Sequence, residues 1–488
     1  MLVNLALTSL EAAVVALGLA LLLAELGLPA ARRRALAYVT AAVLALLFLN
    51  TFSGFCSCAG VGQSAFAGMF VQDGLSVFAK RLFLLAGLFT VLMAAEAPER
   101  LGSGLLTYCA LVVFALAGML FAASANDLVM LFVTVELLTL ASCVLVSFQR
   151  GQTASLEAGL KYLILGAVAS AFLVFGIALV WGVSGRLNFS GLAELLFKDS
   201  ALADNKLFLT GVLLILAGLS FKLATFPMPF WAPDVYEGAP TPTAAFLAIG
   251  SKAAGFVLLL RFLFTAVSGV AAQWAHLLVL TAGATILYGN LCALPQRNLK
   301  RLLGYSSIAH AGYLLLGVAA LSDAGRSALL FYLVGYLFTT AAAFAVVVLV
   351  LRQLDAEDIT NLAGLGQRAP LVAVTMTLAM ASLAGVPPLV GFFGKFLLLK
   401  AVIERGTTDS AYYALAFAAL AGVVISLYYY FGVIRAIYWS QPRDTCEPVS
   451  LSASMRLAIA ACIGGMLWLG LFPGTVLGWA ENAAAVLK

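Results

Sequence analysis

Long runs of apolar residues, separated by short polar connections, recur along almost the whole chain. A helix that rises 1.5 Å per residue needs about 20 apolar residues to cross a ~30 Å hydrocarbon core. Runs of this length occur about fourteen times, which predicts as many membrane-spanning helices. The predicted spans are 3–28, 36–54, 75–95, 104–122, 127–148, 156–183, 208–231, 242–267, 274–294, 301–320, 327–351, 370–403, 411–438 and 457–479.

Two of these spans are interrupted by prolines close to a lysine. In the seventh span, Lys222 is followed by Pro227, which removes the hydrogen bond to the carbonyl of Leu223. In the twelfth span, the sequence Gly385-Val-Pro-Pro388 precedes Lys395. Because five spans separate the two features, spans four to eight and nine to thirteen resemble two copies of one unit. A unit with an odd number of crossings inserts its second copy upside down, as in many transporters.

The predicted fold class is therefore an all-α polytopic membrane protein with two inverted five-helix repeats that contain broken helices 7 and 12. We expect an N-terminal three-helix segment over 1–100, a first repeat over 101–270 and a second repeat over 271–440. A last membrane helix follows within 441–488. The segment 188–205 is too polar to span and predicts a surface helix in a loop.

Composition excludes a soluble protein. Hydrophobic residues make up 63% of the chain and charged residues only 10%, against about 25% charged in soluble domains. The mean hydropathy is +1.07. Seven scattered cysteines include a lone pair, Cys56 and Cys58, which is too small a ligand set for zinc or an iron–sulfur cluster. We also find no phosphate-binding loop, dinucleotide-binding motif or haem-ligand pair, so the chain shows no means of carrying electrons.

The basic residues of the predicted loops give the orientation. With the N-terminus outside, fourteen basic residues fall on the cytoplasmic side and six on the outer side. This is the bias expected for cytoplasmic loops, and an even number of spans then leaves both termini outside. The net charge of +5 reflects these loops, so we expect the lipid bilayer and no nucleic acid as a partner.

Five ionisable residues are predicted near the middle of the bilayer, where a lysine costs roughly 2.5–3.5 kcal/mol on insertion scales. Two purely structural alternatives stay open. Glu136 and Lys222 can form a structural ion pair, and His310 can serve only as a hydrogen-bond partner for neighbouring hydroxyls. Unpaired buried lysines can gain or lose a proton near neutrality, which favours an ion pathway. We call these five residues the midplane row: Glu136, Lys222, Lys252, His310 and Lys395.

Other charged residues are interpreted differently. Four basic residues lie nearer to predicted helix ends, where snorkelling is expected: Lys80, Arg81, Arg261 and Lys400. Glu11 and Glu25 fall within the first span, where a partner subunit is one candidate contact.

Four stretches carry a family resemblance: FKLATFPMPFWAPDVYEGAPTP at 221–242, SKAAGF at 251–256, QRNLKRLLGYSSIAHAGYLL at 296–315 and GVPPLVGFFGKF at 385–396. With them, the chain resembles the subunit N family of the proton-pumping NADH–quinone oxidoreductase, respiratory complex I, which is related to Mrp-type antiporter subunits. One departure is visible, because many relatives carry a histidine just before the tryptophan of the seventh helix. Here that region is Pro229-Phe230-Trp231.

The resemblance implies that all five residues of the midplane row take part in proton transfer. It also implies that NADH, FMN, iron–sulfur clusters and quinone belong to other subunits of the complex and that this chain carries no cofactor. The expected partners are other complex I membrane subunits, including a neighbouring antiporter-like subunit, in the bacterial cytoplasmic (inner) membrane. A subunit of a stand-alone Mrp-type cation/proton antiporter is the main alternative. A quinone-binding redox subunit is a further one, although no motif for a quinone cavity is visible.

Overall fold

The computed structural model describes residues 6–52, 62–97, 101, 104–351, 357–440 and 451–487. Within these residues, thirteen helical segments are long and apolar enough to cross a membrane. The predicted twelfth span is present as two shorter helices, so the span pattern of the sequence is confirmed. The principal elements are α1 (Ser9–Gly27), α2 (Ala30–Asn50), β1 (Gln63–Ala65), β2 (Phe70–Gln72), α3 (Gly74–Glu96), α4 (Leu105–Ala123), α5 (Leu128–Val146), α6 (Thr153–Ser184), α7 (Phe189–Lys198), α8 (Ser200–Ala203), α9 (Lys206–Leu223), α10 (Trp231–Gly238), α11 (Thr241–Phe246), α12 (Lys252–Arg261), α13 (Ala271–Ala293), α14 (Leu299–Ala319), α15 (Asp323–Leu351), α16 (Leu365–Arg368), α17 (Pro370–Ala384), α18 (Val390–Gly406), α19 (Ala411–Trp439), α20 (Ala453–Leu471) and α21 (Gly474–Ala484).

The core of the bundle consists of helices that are buried on every face. The segment Thr241–Ala266, which contains α11 and α12, is completely buried, and α14 and α15 are nearly so. Peripheral helices such as α1, α2 and α6 bury less than a third of their residues in this chain. Because the bilayer is as apolar as leucine, such helices need no amphipathic pattern, and the sequence shows none.

The first break divides the predicted seventh span. Helix α9 ends at Leu223, and Ala224 follows with a left-handed φ of 55°. The peptide bond between Phe226 and Pro227 is cis. The indole Nε1 of Trp231 donates a hydrogen bond of 2.7 Å to the carbonyl of Phe221, which satisfies one of the acceptors that a helix end leaves free.

The second break has the same plan. Helix α17 ends at Ala384, Gly385 takes a left-handed φ of 88°, and Pro387–Pro388 is cis before α18 begins. Both interruptions therefore occur where the prolines predicted them. The inverted relation between the two five-helix units, and the four-part division of the chain, stay predictions.

The polar segment 188–205 forms the short helices α7 and α8, as predicted. An antiparallel hairpin of β1 and β2 lies on the same side, since Phe70 bridges Ala125 and Asp127 bridges Asn188. Cys56 and Cys58 lie outside the described residues.

Two basic residues that were expected to snorkel do not. Lys80 is completely buried and forms an ion pair of 2.6 Å with Glu11. Arg261 is buried and makes two hydrogen bonds, of 2.8 and 2.6 Å, to the carboxylate of Asp73. The expectation was wrong because distance from a helix end does not tell which face of the helix a residue occupies. Lys400, by contrast, is 59% exposed, as snorkelling requires.

The two acidic residues of the first span have partners within this chain. Glu11 pairs with Lys80, and Glu25 pairs with Arg33 at 2.7 Å. A contact with a partner subunit is therefore not needed to explain either carboxylate.

Candidate functional site

Lys222 is buried one residue before the end of α9, at the first break. Its Nζ donates hydrogen bonds to Thr139 Oγ1 and Tyr162 Oη, each at 3.0 Å. The ammonium also lies 5.6 Å from the centre of the Tyr162 ring. Since Thr139 is on α5 and Tyr162 on α6, neutral hydroxyl groups hold this lysine between three helices.

Glu136 is half-buried on α5, three residues before Thr139, and accepts a hydrogen bond from Ser170 of α6. No nitrogen–oxygen distance of 4.0 Å or less joins Glu136 and Lys222 in the described structure. The direct ion pair that the sequence left open therefore does not form. The carboxylate lies one helical turn along α5 from the hydroxyl that binds the ammonium.

Lys252 begins α12, directly after the π-helical turn Leu247–Ser251. A π turn adds a residue to the helical repeat and is frequent at functional sites. The Nζ atom donates to both the carbonyl and the hydroxyl of Ser307, the latter at 2.5 Å. The Ser307 hydroxyl in turn lies 3.1 Å from Tyr236 Oη. This lysine therefore also has neutral partners.

His310 is buried near the middle of α14, between two tyrosines. Its Nδ1 lies 2.5 Å from Tyr332 Oη, and its Nε2 lies 3.0 Å from Tyr430 Oη. Tyr430 also bonds to the hydroxyl of Ser306. Both ring nitrogens thus have a hydroxyl that can donate or accept, so the ring can exchange its proton on either side.

Lys395 reaches back across the second break. Its Nζ donates to the carbonyls of Leu383 and Ala384, at 2.6 and 3.3 Å, and lies 4.8 Å from the centre of the Tyr313 ring. These carbonyls lie at the C-terminus of α17 and accept no hydrogen bond within the helix. The C-terminal end of a helix dipole is negative and favours a cation. The break therefore builds the binding site of this lysine.

The structure brings the row together through shared neighbours. Ser307, which binds Lys252, precedes His310 by three residues on α14, so Lys252 and His310 lie at neighbouring turns of one helix. His310 and Lys395 both contact Tyr313, whose ring centre lies 5.9 Å from that of the histidine.

Lys222 approaches the row from the other side. A Cβ atom placed on Gly255, three residues after Lys252, would lie 3.6 Å from Lys222 Cγ. Lys222 therefore lies beside α12, within one helical turn of Lys252. All five predicted residues occupy one connected region.

Sequence reasoning missed the hydroxyl groups that connect these residues. Hydroxyl side chains occur throughout the apolar spans, so residue type alone does not single out any of them. Only the serines of the run SSIAH carried a signal, because they precede His310 by one helical turn. The missed partners are Thr139, Tyr162, Ser307, Tyr332 and Tyr430.

An ionic network follows the first break, on the side of the bundle opposite to the β-hairpin. Arg301 contacts the carboxylates of Asp234 and Glu237, both at 2.7 Å, and Asp234 also pairs with Lys161 at 2.7 Å. Burial alone would raise the pKa of Asp234, but the bonds from Lys161 and Arg301 outweigh it and hold the pKa below its ordinary value. A cavity of about 890 Å³ lies beside this network and is lined by the 237–242 segment and Lys300.

Comparison with known proteins assigns the family. The family model described as NADH:quinone oxidoreductase/Mrp antiporter, TM, matches residues 125–426. The NADH-quinone oxidoreductase subunit N of Moorella thermoacetica is 38% identical over 481 residues, which cover 99% of this chain and 98% of that protein. This chain belongs to the NADH:quinone oxidoreductase/Mrp antiporter membrane family.

Two solved structures share the fold. A chain of respiratory complex I from Thermus thermophilus with bound aureothin is 34% identical, with a TM-score of 0.78 over 96% of this chain and 98% of that one. A chain of the Mrp complex from a Dietzia species reaches a TM-score of 0.88 over 100% and 98% of the two chains. At 23% identity this second likeness concerns the fold alone. In this family member, the described residues contain no group of three or more histidine, cysteine or acidic residues placed to hold a metal ion.

Proposed function

We propose that this chain is the antiporter-like subunit N of a proton-translocating NADH–quinone oxidoreductase, with the midplane row as its proton-transfer residues. One observation carries the proposal: Lys252 is buried with hydroxyl and carbonyl partners only, and its partner Ser307 lies one helical turn from His310. No carboxylate oxygen lies within 4.0 Å of this lysine in the part of the chain that the structure describes. Such a lysine can release a proton without leaving an unpaired carboxylate beside it.

The contacts support one order for the transfer. Lys222 passes a proton across the Gly255 stretch of α12 to Lys252, with water as the carrier between the two ammonium groups. From Lys252 the proton then passes by Ser307, with water as the carrier, to His310 and its partner Tyr430 one turn along α14.

From His310 the proton reaches Lys395 beside Tyr313. Glu136 acts at the start of the transfer. Its negative charge favours the protonated form of Lys222, although the two side chains are not in direct contact. The cavity beside Lys300 and the 237–242 segment is the inlet that this order requires on the cytoplasmic side.

The redox chemistry lies elsewhere in this proposal. NADH, FMN, the iron–sulfur clusters and quinone would be held by other subunits, and this chain would contribute a non-redox translocating role. Its partners would be other complex I membrane subunits, one of them a second antiporter-like chain. The location would be the bacterial cytoplasmic membrane, with both termini periplasmic.

A stand-alone Mrp-type cation/proton antiporter subunit is the second candidate, since the Dietzia Mrp chain shares the fold. The near full-length relationship to subunit N proteins favours complex I. Purification in mild detergent separates the two candidates. Copurifying NADH-oxidising and iron–sulfur subunits support complex I, whereas antiporter subunits alone support the alternative.

Substitution of Lys222 tests the proton-transfer role. Lys222→Ala removes the proton carrier, and Lys222→Arg keeps the charge but cannot release a proton. We expect both variants to assemble and both to lose proton translocation and coupled quinone reduction. The exposed Lys400→Arg variant is the control and should behave as wild type. Full translocation by Lys222→Arg, beside a defective Lys222→Ala, would make Lys222 a structural residue.

A further inference from the structure

A second group of buried charges lies outside the midplane row, beneath the β-hairpin. Lys80 Nζ lies 2.6 Å from Glu11 Oε1, 3.5 Å from Gln72 Oε1 and 4.9 Å from the centre of the Phe70 ring. Gln72 is followed by Asp73, which caps the N-terminus of α3 and binds Arg261 through both carboxylate oxygens. We call Glu11, Gln72, Asp73, Lys80 and Arg261 the hairpin cluster. It holds two acids and two bases, so its net charge is zero.

The pair of Glu11 and Lys80 is poorly explained as a structural bond. Both side chains have no exposed surface, and Glu11 Oε2 has no hydrogen-bond partner among the described residues. A buried ion pair repays its desolvation only when further hydrogen bonds satisfy the remaining atoms, and apolar pairs of similar volume often stabilise a protein as well. Retention of an incompletely bonded pair at this depth therefore needs another reason.

Within the hairpin cluster, only this pair can exchange a proton. Arg261 stays protonated because a guanidinium does not lose its proton in proteins. Burial would raise the pKa of Asp73, but Arg261 and the amide and hydroxyl of Ser76 keep it below its ordinary value. Asp73 and Arg261 are therefore a fixed pair. Lys80 and Glu11 are both groups that can become neutral, and their close contact offers a direct path.

We propose that Glu11 and Lys80 form a further proton-holding site, which lies outside the midplane row beneath the β-hairpin. A proton moves from Lys80 Nζ to Glu11 Oε1, which turns an ammonium and a carboxylate into an amine and a carboxylic acid with no change in net charge. Glu11 then releases that proton and Lys80 accepts another, which restores the ionised pair. Gln72 and the Phe70 ring hold the ammonium in place between transfers. This inference rests on the proposed proton-translocating function.

Two variants test the pair in the assembled complex. Lys80→Arg keeps the charge and the contact with Glu11 but cannot lose its proton. The double variant Glu11→Leu with Lys80→Met replaces the pair by apolar side chains of similar volume and leaves no unpaired charge. We measure complex assembly, quinone reduction and protons translocated per quinone reduced. Both variants should assemble and translocate fewer protons, and Lys198→Arg, in an exposed pair with Glu194, should match wild type.

The outcomes separate this inference from the proposed function. Wild-type translocation by either variant overturns the proton-holding role. If one variant does not assemble, the other decides; if neither assembles, the pair serves folding alone and the inference is wrong. Lys252→Met is measured in parallel. Full translocation by that variant would instead overturn the proposed function of the midplane row.

Discussion

At the scale of single residues, the buried cations of the midplane row are bound by neutral oxygen atoms. Lys222 has two hydroxyl partners, Lys252 a serine, and Lys395 two main-chain carbonyls. His310 lies between two tyrosine hydroxyls. A hydroxyl can donate and accept at once, so each hydroxyl partner can also pass a proton on, whereas the carbonyls that bind Lys395 can only accept. The partners therefore matter as much as the ionisable residues.

Tyr430→Phe removes one such hydroxyl and tests this point. His310 Nε2 and Ser306 Oγ then lose a buried partner, which costs about 1–3 kcal/mol of stability for each group left unsatisfied. We expect the assembled variant to translocate protons more slowly and to unfold at lower temperature. Tyr428→Phe, which changes an exposed residue on the same helix, is the control. Unchanged translocation by Tyr430→Phe would remove this tyrosine from the pathway.

At the scale of elements, the two broken helices leave backbone groups free to accept hydrogen bonds. In each, a left-handed residue ends the helix and frees carbonyl groups near a lysine. At the second break these carbonyls bind Lys395 directly. At the first break Trp231 donates a hydrogen bond to one of these carbonyls. Lys222 binds hydroxyl groups of neighbouring helices instead.

Gly385→Ala tests the second break. A left-handed conformation costs a residue with a Cβ atom roughly 1–2 kcal/mol, and here that atom would lie 3.3 Å from Lys395 Cδ. We therefore expect lower thermal stability together with reduced proton translocation, because the lysine must shift. Gly182→Ala meets no atom within 4 Å and is the matched control. Equal melting temperatures for the two variants would show that the break tolerates a side chain.

The sequence predicted the elements better than the contacts between them. Prolines 227, 387 and 388 located both breaks, because proline acts on its own helix. The burial of Lys80 and Arg261 was not predicted, since it depends on where α1 and the hairpin pack. For the same reason, the sequence could not tell that Thr139, rather than Glu136, would contact Lys222.

At the scale of the whole molecule, both ends of the bundle carry ion pairs, and two groups of them were described above. The hairpin side carries buried pairs, whereas the opposite side carries the partly exposed network of Asp234, Glu237, Lys161 and Arg301. This network ties α10 to α6 and α14, next to the large cavity. It therefore fixes the segment that follows the first break.

The network should make stability depend on pH in the acid range. Because the pKa of Asp234 is held below its ordinary value, its ionised form stabilises the fold at neutral pH. That contribution is lost as the pH falls from about 4 through the lowered pKa. Asp234→Asn should lower the melting temperature at neutral pH and lose less on acidification than wild type. Asp204→Asn, at an exposed site, should keep the wild-type profile.

Orientation is tested by labelling from outside. The loop charges predict that a cysteine introduced as Lys488→Cys reacts with an impermeant reagent applied to the periplasmic side. A cysteine introduced as Arg297→Cys should stay unlabelled until the membrane is opened. Wild-type protein, with its seven native cysteines, gives the background for both measurements. The reverse pattern would turn the bundle over and exchange the proposed inlet and outlet.

The depth of the row has an electrical consequence. Glu136, Lys252 and His310 each lie near the middle of a helical segment long enough to span the bilayer. A proton that moves among them travels parallel to the membrane plane and crosses almost none of the transmembrane voltage. The full work of ~2.3 kcal/mol per 100 mV then falls on the short vertical steps into and out of the row. An imposed voltage should therefore slow entry and exit, and leave the lateral transfer between the lysines unaffected.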